Sequence, residues 1–265
     1  MVMRIISCDD LDEAIEHYTK QLGYRLDMIV PADAPREALV SKGDESVRLA
    51  LENHPVGETP PPLLRKEGSW IKGRAGMEYR DLLPGRLGGK LIASHIRLTK
   101  GGEVPDYVHY HKVDFQMIYC KRGRIKVVYE DQGDPFWLET GDCVLQPPEI
   151  RHRVLECTAG AEVIEVSMPA EHGTWVEHDI ILPTAALQPE RDFSGQRFVR
   201  HIKSDAFRRD LGIAAATGGR YKAYVQQMQP DEELPANYAD ESEINLCFRL
   251  NDAEVLAIEL KLMSD

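Results

Sequence analysis

Between Leu91 and Ser167 short apolar runs alternate with turn residues. KLIASHIRL, FQMIYC, RIKVVYE, CVLQPP, HRVLE and AEVIEVS are rich in Val, Ile and Tyr, and Gly, Asp and Pro separate them. Runs of this length bounded by such residues read as strands. Several at this spacing cannot bury their faces singly, so they predict an all-β sandwich or barrel.

Within that region His109 and His111 stand at i and i+2, which places both imidazoles on one face of a strand. Gln116 follows after four residues and Gly123 after six more. Further on, GDCVLQPPEIRH gives Gly141, then Pro147, then His152. By strand period His152, Val154 and Glu156 share a face. Three imidazoles and an amide oxygen converging inside a barrel make a mixed N/O site for one divalent transition metal, Zn, Fe, Ni or Mn. His95, His172, His178 and His201 fall outside both clusters and read as structural. Cys120 and Cys143 read as small core hydrophobes.

Around this region the chain divides further. HPVGETPPPLLRKEG (54–68) carries four prolines and little periodicity, so it reads as a linker. Before it, MRIIS precedes DLDEAIEHYTKQLGY, where Leu11, Ala14, Ile15, Tyr18 and Leu22 have helical spacing. Asp9 or Asp10 caps that helix and Gly23 stops it. RLDMIV, EALVS and SVRLALE follow as strands, so 1–53 is expected to fold as βαβββ. After the barrel region (69–168), the stretch 169–194 shows no core pattern and reads as a connector. Residues 195–228 then repeat 68–98: Arg80-Asp81-Leu82 matches Arg209-Asp210-Leu211, and Gly88-Gly89 matches Gly218-Gly219. The second copy lacks the two histidines and is expected as a partial unit over 195–265.

Composition narrows the partners. A net charge of −12 disfavours nucleic acid and anionic membrane surfaces. No apolar run approaches the roughly 20 residues that span a bilayer, and the acidic N-terminus does not resemble a signal peptide. Five scattered cysteines without a CxxC pair point to reduced thiols in the cytoplasm. A small molecule is the expected partner, together with a second copy of the chain. Half-modules leave sheet edges uncovered, and a homodimer would cover them.

The two clusters resemble the two motifs of the cupin superfamily: HxH-x4-Q-x6-G at 109–123 and G-x5-P-x4-H at 141–152. Gly102 precedes the first with one residue more than the usual spacing. Gln116 stands in place of the family's common glutamate, and Glu149 in place of a common glycine. The resemblance, over about 70–169, implies a mainly β fold, a double-stranded β-helix (jelly-roll) barrel, with metal held by His109, His111, Gln116 and His152. DLDEAIEHYTKQLGYRLD resembles one module of the glyoxalase/bleomycin-resistance (vicinal oxygen chelate) family. That resemblance covers only one of the two modules such a domain needs, and Met3 falls where the family's metal histidine would be.

Replacing a carboxylate by Gln116 removes a negative charge from around the ion, which keeps its full charge and polarises a bound oxygen more strongly. The expected function is therefore a Lewis-acid isomerase or lyase acting on a small oxygen-rich compound, sugar-acid or keto-acid-like. Glu156, on the face of His152, is the candidate base, and Arg97 the candidate clamp for a substrate carboxylate. A non-haem Fe(II) dioxygenase and a non-catalytic ligand-binding cupin are the alternatives.

Overall fold

The computed structural model describes residues 3–52, 69–73 and 76–262; the expected linker at 54–68 lies outside them. After Asp10 the chain forms α1 (Leu11–Glu16), and the Asp10 carboxylate accepts the Glu13 amide at 2.9 Å. A π-helical turn, His17–Gln21, follows. Gly23 then reverses the chain at φ 73°, a conformation open to glycine because it has no Cβ. Strands β1 (Arg4–Cys8), β2 (Arg25–Val30), β3 (Glu37–Lys42) and β4 (Glu45–Leu51) complete the expected βαβββ order. They lie side by side as β1-β4-β3-β2, with β1 parallel to β4. Leu11 of α1 packs on Ile29, Val40, Val47 and Leu49 of this sheet.

The apolar runs of the central region become the strands of two facing sheets. They are β5 (Ile71–Lys72), β6 (Met77–Asp81), β7 (Ile92–Leu98), β8 (Gly102–Glu103), β9 (His109–His111) and β10 (Phe115–Arg122). There follow β11 (Arg124–Tyr129), β12 (Phe136–Glu139), β13 (Cys143–Leu145), β14 (His152–Cys157), β15 (Ala161–Met168) and β16 (Thr174–Val176). One sheet runs β16-β9-β14-β11-β12, with β8 on the far part of β14; the other runs β13-β10-β15-β7-β6-β5. Their inner faces meet through Ile96, Cys120 and Val163 on one side and Ile125, Val127 and Leu138 on the other. This is the two-sheet barrel that the cupin resemblance implies.

Two boundaries differ from the expectation. The connector at 169–194 contains β16, which pairs with β9 on one edge and with β2 on the other. The N-terminal sheet is thus continuous with the barrel sheet that carries the histidines. Three residues are too few to show a period, so the sequence hid this strand. The segment from 195 begins with β17 (Val199–His201), which pairs with β13 inside the barrel's own sheet.

The rest of the C-terminal segment forms a separate antiparallel sheet of β18 (Arg208–Asp210), β19 (Tyr221–Gln227), β20 (Tyr238–Ala239), β21 (Glu243–Arg249) and β22 (Glu254–Lys261). Its order is β18-β19-β22-β21-β20. A short helix, α2 (Ile213–Ala216), joins the first two. Strand period explains how the sheet docks. On β10, Phe115, Met117 and Tyr119 face outward and meet Tyr221, Leu246 and Ile258. Gln116 and Ile118, between them, line the cavity inside the barrel. No helix among the described residues is long and apolar enough to cross a membrane.

Candidate metal centre

β9 and β14 are neighbours, and His152 pairs directly with His109. His111, two residues along β9, projects to the same side. The ring centroids lie 4.3 Å (His109–His152), 5.1 Å (His109–His111) and 5.3 Å (His111–His152) apart. One nitrogen from each ring falls within 4.8 Å of the others. All three residues are buried.

The opposite side of each ring fixes which nitrogen is offered. Nδ1 of His109 lies 2.8 Å from the Tyr107 carbonyl, Nδ1 of His111 3.1 Å from that of Gly173, and Nδ1 of His152 2.9 Å from that of Ile150. A carbonyl only accepts, so each Nδ1 carries the proton and each Nε2 the lone pair. Three imidazoles turned in this way, each oriented by a backbone carbonyl, suit a divalent transition metal. Asp106 adds a carboxylate 3.6 Å from His109 Nδ1 and accepts the Val154 amide at 3.0 Å. The fit to a metal is thus a property of these donors and of the groups behind them.

The cavity beside the triad has a volume of about 60 Å³. Its walls are largely apolar, with Ile96, Ile118, Ile125, Val154 and Val163 among them. Across it runs a chain of hydrogen bonds. The Tyr129 hydroxyl donates to Gln146 Oε1 at 2.7 Å. Gln146 Nε2 donates to Gln116 Oε1 at 3.0 Å and lies 3.3 Å from His152 Nε2. Gln116 Nε2 donates to Glu165 Oε1 at 2.8 Å, and the Ser167 hydroxyl donates to the same oxygen at 3.0 Å. Burial pushes the Tyr129 hydroxyl well above its ordinary range, so it stays a donor at the head of the chain.

The expected metal residues therefore come together: His109, His111 and His152 converge, and Gln116 lines the same cavity. The two expected catalytic residues do not. Glu156 faces away because β14 carries a bulge. Val127 pairs with Val154 but Lys126 pairs with Glu156, so Leu155 is an extra residue that flips the side-chain alternation. Cys157 thereby points into the core and Glu156 lies beside Glu103 of β8. Arg97 lies on the outer face of β7, where it is ion-paired to Glu78 and its guanidinium stacks 4.1 Å from the Trp70 ring centre. Ile96 and Leu98 take the inward positions of that strand.

Glu165 is the carboxylate that sequence reasoning missed, and the only one among the described residues lining this cavity. It stands on β15 opposite Ile118 and Ser94. Its place in AEVIEVS, alternating with Val163 and Ser167, would have put it on one face with them; that this face is inward is a matter of sheet pairing. His172, read from the sequence as structural, also comes near the triad. It sits in the connector with its ring centre 5.3 Å from that of His111. By contrast His95 is structural, bonded to Arg80 and Glu162, and burial holds its imidazole below the ordinary range. Cys120 and Cys143 are buried, and burial pushes the Cys120 thiol up to about 12, which leaves it an inert hydrophobe.

Residues 94–167 match the family model described as Cupin domain. Among solved structures, an RmlC-like cupin from Shewanella frigidimarina NCIMB 400 is 27% identical, covering 38% of this chain and 84% of its own, with a TM-score of 0.32. KdgF from Halomonas sp. is 20% identical, covering 38% of this chain and 87% of its own, at 0.31. The protein Ylba from E. coli is 11% identical over 92% of both chains, at 0.44. No curated protein matches. The match to the cupin-domain model thus falls on the segment that carries the triad.

Proposed function

We propose that this cupin-domain chain is a metal-dependent enzyme of the Lewis-acid isomerase or lyase type, acting on a small oxygen-rich organic compound. One observation carries the reading. Three imidazoles and the Gln116 amide supply a neutral donor set, and the cavity's carboxylate, Glu165, is tied to the Gln116 amide. When bound, the metal would polarise an oxygen of the substrate. His109, His111 and His152 would hold it through Nε2. Gln116 Oε1 would be the fourth donor, because a carbonyl oxygen that accepts from Gln146 keeps a second lone pair.

Glu165 takes the role of base. Its Oε1 receives both bonds from Gln116 and Ser167, which fixes the carboxylate and leaves Oε2 to take up a substrate proton. The Tyr129–Gln146 pair fixes Gln116 in turn, and the apolar walls limit water around the transferred proton.

The domain reading belongs to the same proposal. The C-terminal sheet is a partial second copy of the barrel, supported by two matching hairpins: β6 and β7 in the first copy, β18 and β19 in the second. A homodimer is supported by β1, an edge strand among the described residues, on which Ile5 is 52% exposed.

Elemental analysis of the purified protein, with oxygen consumption measured alongside, tests the reading. It expects one Zn, Ni, Mn or Fe ion per chain, lost in His109→Ala and His152→Ala, and turnover of sugar-acid or keto-acid-like compounds without dioxygen uptake. Iron with dioxygen uptake would replace the proposal by a dioxygenase. A protein that binds no metal on titration would end both.

A further inference from the structure

A second, smaller cavity of about 30 Å³ adjoins the first and shares Tyr79, His111 and Glu165 with it. Its remaining walls are Asp33, Ser94 and His172, with Ala32 and Ile92. His172 is 7% exposed and Ser94 2%, and His172 Nε2 and Ser94 Oγ are both buried without a hydrogen-bond partner. A buried polar atom left unpaired is costly, and nearly all are satisfied in folded proteins. Two of them lining one cavity mark a place built to receive a polar group.

The walls also specify which polar group. His172 Nδ1 lies 3.0 Å from the Pro169 carbonyl, so Nδ1 carries the proton and Nε2 presents a lone pair. Glu165, on the shared wall, is an acceptor as a carboxylate. Asp33 is another, already paired with Arg86 at 2.7 Å. Ser94 can donate or accept. A carbonyl or carboxylate oxygen here would face the lone pairs of His172, Glu165 and Asp33, whereas a hydroxyl would donate to His172 and accept from Ser94. A hydroxyl satisfies both unpaired atoms at once, whereas an ammonium group only donates and would leave the Ser94 hydroxyl proton without an acceptor. The volume matches a group the size of one water.

We infer that this cavity is a subsite for a substrate hydroxyl group, bound between His172 Nε2 and Ser94 Oγ while a neighbouring oxygen of the same molecule engages the triad. The substrate class is thereby narrowed to hydroxylated acids and related polyols. The inference rests on reading the triad as a metal site, and it makes His172 a specificity-determining residue.

Calorimetric titration of the zinc-loaded full chain with propionate, 3-hydroxypropionate and β-alanine tests it. The hydroxylated probe should bind at least tenfold tighter than propionate, since a site built to hydrogen-bond a hydroxyl rejects the analogue without it. His172→Phe should bring the two within about twofold with zinc stoichiometry unchanged, and His172→Gln should restore part of the preference. Ser94→Ala, a smaller change, should weaken the preference independently. A hydroxyl preference that survives in His172→Phe arises at the metal and overturns the inference, as does tighter binding of β-alanine. Zinc loading without any hydroxyl preference removes this subsite alone; failure to load zinc removes the triad reading along with it.

Discussion

The cupin resemblance implies a carboxylate at position 116; this chain carries the Gln116 amide there, hydrogen-bonded to the Glu165 carboxylate at 2.8 Å. The amide is neutral toward the triad, and its NH2 group steers the carboxylate of Glu165 on the neighbouring strand. If Gln116 Oε1 is the fourth donor, Gln116→Ala lowers zinc affinity about tenfold or more, while Gln116→Glu retains it. Competition with a chromophoric chelator measures both, and an unchanged affinity in Gln116→Ala would restrict Gln116 to holding Glu165. At this scale the histidines were legible because an i, i+2 spacing fixes a shared face whatever the rest of the strand does. Glu165 and His172 were not, since nothing local tells a carboxylate or an imidazole which cavity it will meet.

β10 and β11, in the two facing sheets, are joined by the single residue Gly123, at φ 68°. A Cβ there would lie 2.5 Å from Thr158 Oγ1 and 3.2 Å from the Ala161 Cα. Gly123→Ala therefore combines left-handed strain with a clash, and should lower stability by about 2 kcal/mol in urea unfolding. A loss below about 0.5 kcal/mol would show that the connection relaxes around it. The bulge at Leu155 is the complementary lesson. Strand positions were readable from apolar runs, but the facing of Glu156 was not, because one extra residue reverses every later side chain in the strand. Arg97 shows the same limit without a bulge: alternation fixes that it opposes Ile96, and only pairing with β15 and β6 decides which side is the inside.

The whole molecule is held by a buried ion cluster as well as by its cores. Arg86 is 0% exposed and bonds Asp33 of the N-terminal unit, Asp81 and Glu171, and Arg36 joins Glu171 at 2.8 Å. Burial alone would lower the pKa of the guanidinium, but Asp33 and Asp81 outweigh it and raise the value above its ordinary range. Arg86→Met would remove the buried cation that bonds Asp33, Asp81 and Glu171, at a cost of about 3–5 kcal/mol. It should also loosen the N-terminal sheet from the barrel. Limited proteolysis with thermal unfolding reads both effects, and a variant as protease-resistant as the parent would show that β2–β16 pairing suffices. Because Asp33 and Ala32 line the cavity beside His172, this cluster also holds one wall of the proposed subsite.

The sequence by itself determined the strand-rich barrel, the βαβββ order at the N-terminus and the three histidines that converge. All three follow from local periodicity and short spacings, which physics converts directly into faces. Tertiary structure alone decided that β16 joins the N-terminal sheet to the barrel and that Glu165, not Glu156, looks into the cavity. It likewise decided that His172 arrives beside His111. These depend on register and on contacts between residues far apart in the chain, where the free energy of packing whole faces, rather than any local preference, selects the partner.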